Sequence, residues 1–118
     1  MIIGCPKEIK NQEYRVGITP AAAAEAISHG HTVLMEHAAG VGSGFPDQEY
    51  TSFGAKVVET PQELFSKSDM IVKVKEPQAS ERAMLREDQV LFTYLHLAPD
   101  LPQTKDLLAS GVTAIAYE

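Results

Sequence analysis

Arg15, Lys75 and His96 are three polar residues whose chemistries complement one another. A guanidinium presents a planar fork that pairs with a carboxylate through two parallel hydrogen bonds. A lysine ammonium is a compact cation able to hold a carboxylate or carbonyl oxygen. Histidine is the side chain that titrates near neutrality, and it is the commonest general acid or base. Two cations and a histidine around one pocket suit a small 2-oxo or 2-amino acid. Taken singly, each has an ordinary structural explanation. Arg15 can be a solvated loop charge, Lys75 a partner for adjacent Glu76, and a histidine at a strand end is more often structural than catalytic.

Whether the three form one group depends on the elements that carry them. Short apolar runs at 1–5, 32–36, 55–58, 70–74, 90–95 and 112–117 alternate with helix-like segments. That alternation is the pattern of an α/β domain with a largely parallel sheet. Thr19 and Pro20 are a good N-cap and first helical residue, and Gly30 ends the helix they open. A short helix is expected over 46–53. Thr60-Pro61-Gln62-Glu63 is a capping box that starts a helix through Lys67. Further helices are expected over 80–85 and over 102–109, the latter closed by Gly111. The expected fold is a three-layer α/β domain, flavodoxin-like or Rossmann-like, with helices flanking the sheet. In open sheets of this kind, ligands bind beyond the carboxyl ends of the strands. Arg15 lies in the connection after strand one, Lys75 follows strand four and His96 follows strand five, so parallel strands would open all three at one edge. A doubly wound sheet is covered on both faces by its connecting helices. The sequence stops on a strand instead, which reads as truncation at the C-terminus of the N-terminal part of a longer protein.

The 118 residues are 44% hydrophobic and 22% charged, enough for a core without metal or disulfides. Net charge is −6 with no basic tract, which argues against nucleic acid and anionic membrane surfaces as partners. No apolar run approaches the ~20 residues that span a bilayer, and no signal peptide is visible. The single cysteine, Cys5, lies in the apolar first strand and reads as a small core hydrophobe; a lone thiol fits a reducing compartment, so the expected location is cytoplasmic. His29 and His31 flank a helix end, and His37 opens a glycine-rich loop. None has metal-ligand spacing, so no metal is expected. Gly40-Val41-Gly42-Ser43-Gly44 contains G-x-G, but the third glycine of a dinucleotide fingerprint is missing and a short helix follows. The loop is not expected to bind nucleotide.

Gly4-Cys5-Pro6-Lys7-Glu8 and Glu13-Tyr14-Arg15-Val16-Gly17-Ile18-Thr19-Pro20 together resemble the opening of alanine dehydrogenases. The same opening occurs in the related catalytic subunit of proton-translocating nicotinamide nucleotide transhydrogenase. The resemblance continues through Ala39–Phe45 (AGVGSGF), Ile71–Pro77 (IVKVKEP) and Tyr94-Leu95-His96-Leu97-Ala98, and so covers essentially the whole chain. It implies reversible oxidative deamination of L-alanine to pyruvate and ammonia with NAD. By the same resemblance, Arg15 and Lys75 bind the substrate carboxylate and carbonyl region. His96 is the acid/base at the substrate oxygen as a carbinolamine forms and breaks down. Members of the family bind NAD in a separate Rossmann domain, which also brings a catalytic aspartate, and they usually form homohexamers. Residues 1–118 would then be the N-terminal substrate-binding domain of a longer two-domain dehydrogenase, with the NAD-binding domain absent from them and the isolated polypeptide catalytically silent. Two alternatives stand beside this: a fragment of a transhydrogenase-type subunit, and a non-catalytic small-acid-binding or interaction module. Transhydrogenase-type sequences lack the lysine and histidine found here as Lys75 and His96, and lysine- or saccharopine-type relatives fit less closely.

Overall fold

Alternation of apolar residues puts Val33 and Met35 of one strand on one face of a sheet and Leu34 on the other, and helices must then cover both faces. The computed structural model describes Met1–Glu118 and contains this arrangement. Six strands, β1 (Ile2–Cys5), β2 (Thr32–Glu36), β3 (Lys56–Val58), β4 (Met70–Val72), β5 (Val90–Thr93) and β6 (Thr113–Ala116), pair in parallel in the order β3-β2-β1-β4-β5-β6. This is the Rossmann-like order; a flavodoxin-like sheet would run 2-1-3-4-5. The connections are α1 (Pro20–Ser28), a 3-10 turn at Val41–Ser43, α2 (Asp47–Ser52), α3 (Pro61–Lys67), α4 (Ala79–Arg82) and α5 (Leu101–Ser110).

Each of the three longest helices starts on a side chain that accepts an otherwise unpaired backbone N–H. Thr19 Oγ1 accepts from Ala22 at 3.2 Å, Thr60 Oγ1 from Glu63 at 3.2 Å and Asp100 Oδ1 from Gln103 at 3.1 Å. A proline stands in the first turn of all three. One core half joins Ile3, Cys5, Val33 and Met35 to Ala23 of α1 and Tyr50 of α2. The other joins Leu34, Ile71 and Leu91 to Leu64 and Phe65 of α3 and Leu107 of α5. The result is the expected three layers.

Two strands are shorter than their apolar runs. β4 stops at Val72 rather than Val74, and β5 at Thr93 rather than Leu95. In both cases a carboxylate from elsewhere takes the backbone donors two and three residues past the strand. Glu8 accepts from Val74 N–H at 3.0 Å and Lys75 N–H at 3.1 Å, and Glu118 accepts from the N–H groups of Leu95 and His96. The helix expected over 80–85 is a single turn at Ala79–Arg82. Between β1 and β4 the direction of strand succession reverses, and the crevice at such a point is where this topology receives ligands.

Candidate functional site

A cleft of about 380 Å³ opens across that crevice, lined by Lys10, Arg15, Lys75, Glu76, Tyr94, His96 and Glu118. All three residues singled out from the sequence line it. They reach it from three connections, those after β1, β4 and β5. The volume lies within the range usual for small-molecule sites.

Lys75 owes its place to a bend just past the end of β4. Lys73, one residue past the strand, is 1% exposed, with its ammonium 3.1 Å from Glu8 Oε1 and 3.2 Å from Glu81 Oε2. Burial pushes the Glu81 carboxyl above its ordinary range, against the pull of the Lys73 charge. Glu8 also accepts from the N–H groups of Val74 and Lys75. From the other side, Thr93 Oγ1 donates to the Lys75 carbonyl at 2.9 Å. The Lys75 backbone is therefore fixed at both its donor and its acceptor. Its ammonium pairs with no carboxylate, whereas Lys10 is paired with Glu76 and Arg15 with Glu13.

Arg15 rides on a loop seated against the glycine-rich turn. Ser43 Oγ donates to the Tyr14 carbonyl at 3.1 Å. A Cβ at Gly42 would stand 2.7 Å from that same carbonyl oxygen and 2.9 Å from Tyr14 Cβ. Further along, a Cβ at Gly17 would meet the Val72 carbonyl oxygen at 2.8 Å, so the loop crosses directly over the end of β4. Arg15 Nε and Nη2 donate to the two oxygens of Glu13 at 2.9 and 2.7 Å, and this hydrogen-bonded pairing holds the Glu13 carboxyl down to about 2. His96 adopts φ of +50°, a left-handed conformation uncommon for a side chain with a Cβ. The Glu118 carboxylate on its N–H and the buried Gln103 amide on the Leu95 carbonyl, at 2.9 Å, hold the turn that aims it outward.

Sequence reasoning passed over Glu8, Glu13 and Lys73. A lysine inside the apolar run Met70-Ile71-Val72-Lys73-Val74 was the available signal, since such a lysine, once buried, needs acids nearby. Glu13 had only its spacing of two from Arg15. Cys5 is fully buried, and burial pushes its thiol up to about 12, consistent with the core role expected of it. In the glycine loop, Gly40 approaches Phe45 and Tyr50 and Gly42 approaches Tyr14, while Gly44 has open space beside it. No group of three His, Cys, Asp or Glu side chains is placed to hold a metal ion.

Residues 4–118 match the family model described as alanine dehydrogenase/PNT, N-terminal domain. The chain belongs to that family. It is 52% identical over all 118 residues to an alanine dehydrogenase of Methanococcus maripaludis and 50% identical to one of Bacillus subtilis, covering 32% and 31% of those proteins. Among solved structures, an L-alanine dehydrogenase superposes with a TM-score of 0.97 at 51% identity, over the whole of this chain and 32% of that one. A transhydrogenase from Sinorhizobium meliloti superposes with a TM-score of 0.92 at 29% identity, over 98% of this chain and 34% of that one. The chain thus spans about one third of the length of these relatives. No helix in it is long and apolar enough to cross a membrane.

Proposed function

We propose that this chain supplies the substrate side of an alanine dehydrogenase active site, with the longer protein catalysing reversible NAD-dependent oxidative deamination of L-alanine to pyruvate and ammonia. The observation that carries the reading is the convergence of Arg15, Lys75 and His96 on one cleft at the reversal of strand order. The names of the relatives supply the substrate. Arg15 takes the substrate carboxylate, and Lys75, with no internal partner to give up, takes the carbonyl oxygen or shares the carboxylate. His96 donates or removes the proton at that oxygen. Residues 1–118 form the N-terminal, substrate-binding domain. NAD would be held by residues outside this segment, since the glycine loop lacks the third glycine of a dinucleotide fingerprint and leads into the short helix Asp47–Ser52. A cytoplasmic homohexamer completes the proposal.

A transhydrogenase-type subunit would need no amino-acid pocket. The presence of both Lys75 and His96, together with 51% against 29% identity, favours the dehydrogenase. A non-catalytic small-acid-binding or interaction module is favoured by no particular observation. The test uses the full-length protein. His96→Ala should lower turnover by about 10²–10⁴-fold, the usual contribution of a general acid or base. Arg15→Ala should mainly raise KM for pyruvate and alanine. Near-normal turnover in His96→Ala would remove histidine from the proton-transfer role. The 118-residue polypeptide alone should form no NADH from alanine, because the proximity of cofactor and substrate, worth about 7–11 kcal/mol of barrier, is missing.

A further inference from the structure

Arg15 meets the cleft with its guanidinium already engaged. Glu13 takes the Nε–H and one Nη2–H side by side, at 2.9 and 2.7 Å, and its Oε2 also accepts the Arg15 backbone N–H at 2.9 Å. A guanidinium has five N–H donors. Glu13 uses two of them on the Nε edge, which leaves the Nη1/Nη2 edge with its parallel pair of donors for a second carboxylate. The Glu13 side chain is 8% exposed while that of Arg15 is 61% exposed, so the anchor is packed in the loop while the arginine that it holds stays open at the cleft. Tyr14, between them, is pinned by Ser43 and by its close approach to Gly42. The clasp is thus rooted in the glycine turn.

We infer that Glu13 is a positioning residue for the proposed reaction: it fixes the plane of the Arg15 guanidinium so that the Nη edge is presented to the substrate carboxylate before substrate arrives. The inference rests on the reading of Arg15 as the carboxylate ligand. An arginine carries substantial rotamer freedom, and a partner that removes it in the free protein spares that loss on binding. Glu13 stays ionised far below neutrality, so the clasp is constant across the working pH range. A carboxylate that instead competed for Arg15 would have to be displaced by substrate, and its removal would tighten binding.

Steady-state kinetics of the full-length enzyme with Glu13→Ala, Glu13→Gln, Arg15→Ala and the Glu13→Ala/Arg15→Ala double variant separates these cases. Glu13→Ala should raise KM for pyruvate about tenfold with kcat changed far less, and by the same factor from pH 6 to pH 9. Glu13→Gln, which keeps one acceptor oxygen for the fork, should recover part of the loss. In the Arg15→Ala background, Glu13→Ala should have no further effect on KM, whereas a general loss of loop structure would persist there. An unchanged or lowered KM in Glu13→Ala, or an equal rise with and without Arg15, overturns the positioning role while leaving the site reading intact. If Arg15→Ala itself leaves KM unchanged, the carboxylate site fails and the role of Glu13 fails with it.

Discussion

Lys73 is the residue on which the cleft most depends without lining it. Its ammonium lies between Glu8 and Glu81 with all three side chains at most 3% exposed. Taking an ammonium and two carboxylates out of water is costly, and their attraction offsets that cost only while every partner is present. Such a triad is weak evidence for stability and better evidence for geometry: Glu8 is held where it can receive the Val74 and Lys75 N–H groups and turn the chain out of the sheet. Lys73→Met keeps most of the volume and leaves two carboxylates buried without their cation. It should cost about 3–5 kcal/mol of stability, the usual penalty for breaking a buried pair. Urea denaturation reads this as a lower midpoint with an unchanged slope. A loss below about 1 kcal/mol would mean that water or proton uptake replaces the cation and that the triad is dispensable.

At the scale of elements, much was legible because it is local. Thr19-Pro20, Thr60-Pro61 and the glycine after the last helix act through neighbours two or three residues away, and those helix boundaries agree with the sequence reading to within about a residue. The ends of β4 and β5 were not legible, because the backbone donors just beyond them go to Glu8 and Glu118, distant in the chain. Sheet order was equally hidden: alternating strands and helices announce parallel pairing but not which way each crossover turns. The glycine loop shows a third case, where the residues were evident and their use was not. Its 3-10 turn is the floor on which the Tyr14–Arg15 loop rests. Gly42→Ala introduces a Cβ 2.7 Å from the Tyr14 carbonyl, and backbone cannot yield as a side-chain tip does. The loop must lift, with a stability cost of about 1–3 kcal/mol from overpacking. Because Arg15 moves with the loop, KM for pyruvate in the proposed reaction of the full-length protein should rise while kcat falls less. A thermal shift with no change in KM would show that the floor supports the fold and not the site.

Over the whole molecule, the two ends of the sheet are unlike. The β1–β2 side is covered by α1 and α2, whereas all four residues of edge strand β6 are exposed. Beside β6 a groove of about 280 Å³ runs along α5, lined mainly by apolar side chains, among them Leu95, Leu97, Leu107, Leu108, Val112 and Ala114. Leu108 is 78% exposed within it. An unpaired strand edge next to apolar surface is a template for association. Expressed by itself, the 118-residue polypeptide should therefore elute well above its 12.8 kDa monomer mass at micromolar concentration. Leu97→Lys with Leu108→Lys places charge in the groove without touching the cleft, and should return the polypeptide toward the monomer. The pairing edge of β6 remains in that variant, so the comparison separates apolar association from strand addition. Elution unchanged by the two lysines assigns self-association to the edge. A monomeric parent chain would show that neither feature suffices to join two copies, and that the exposed groove is tolerated in water as it stands.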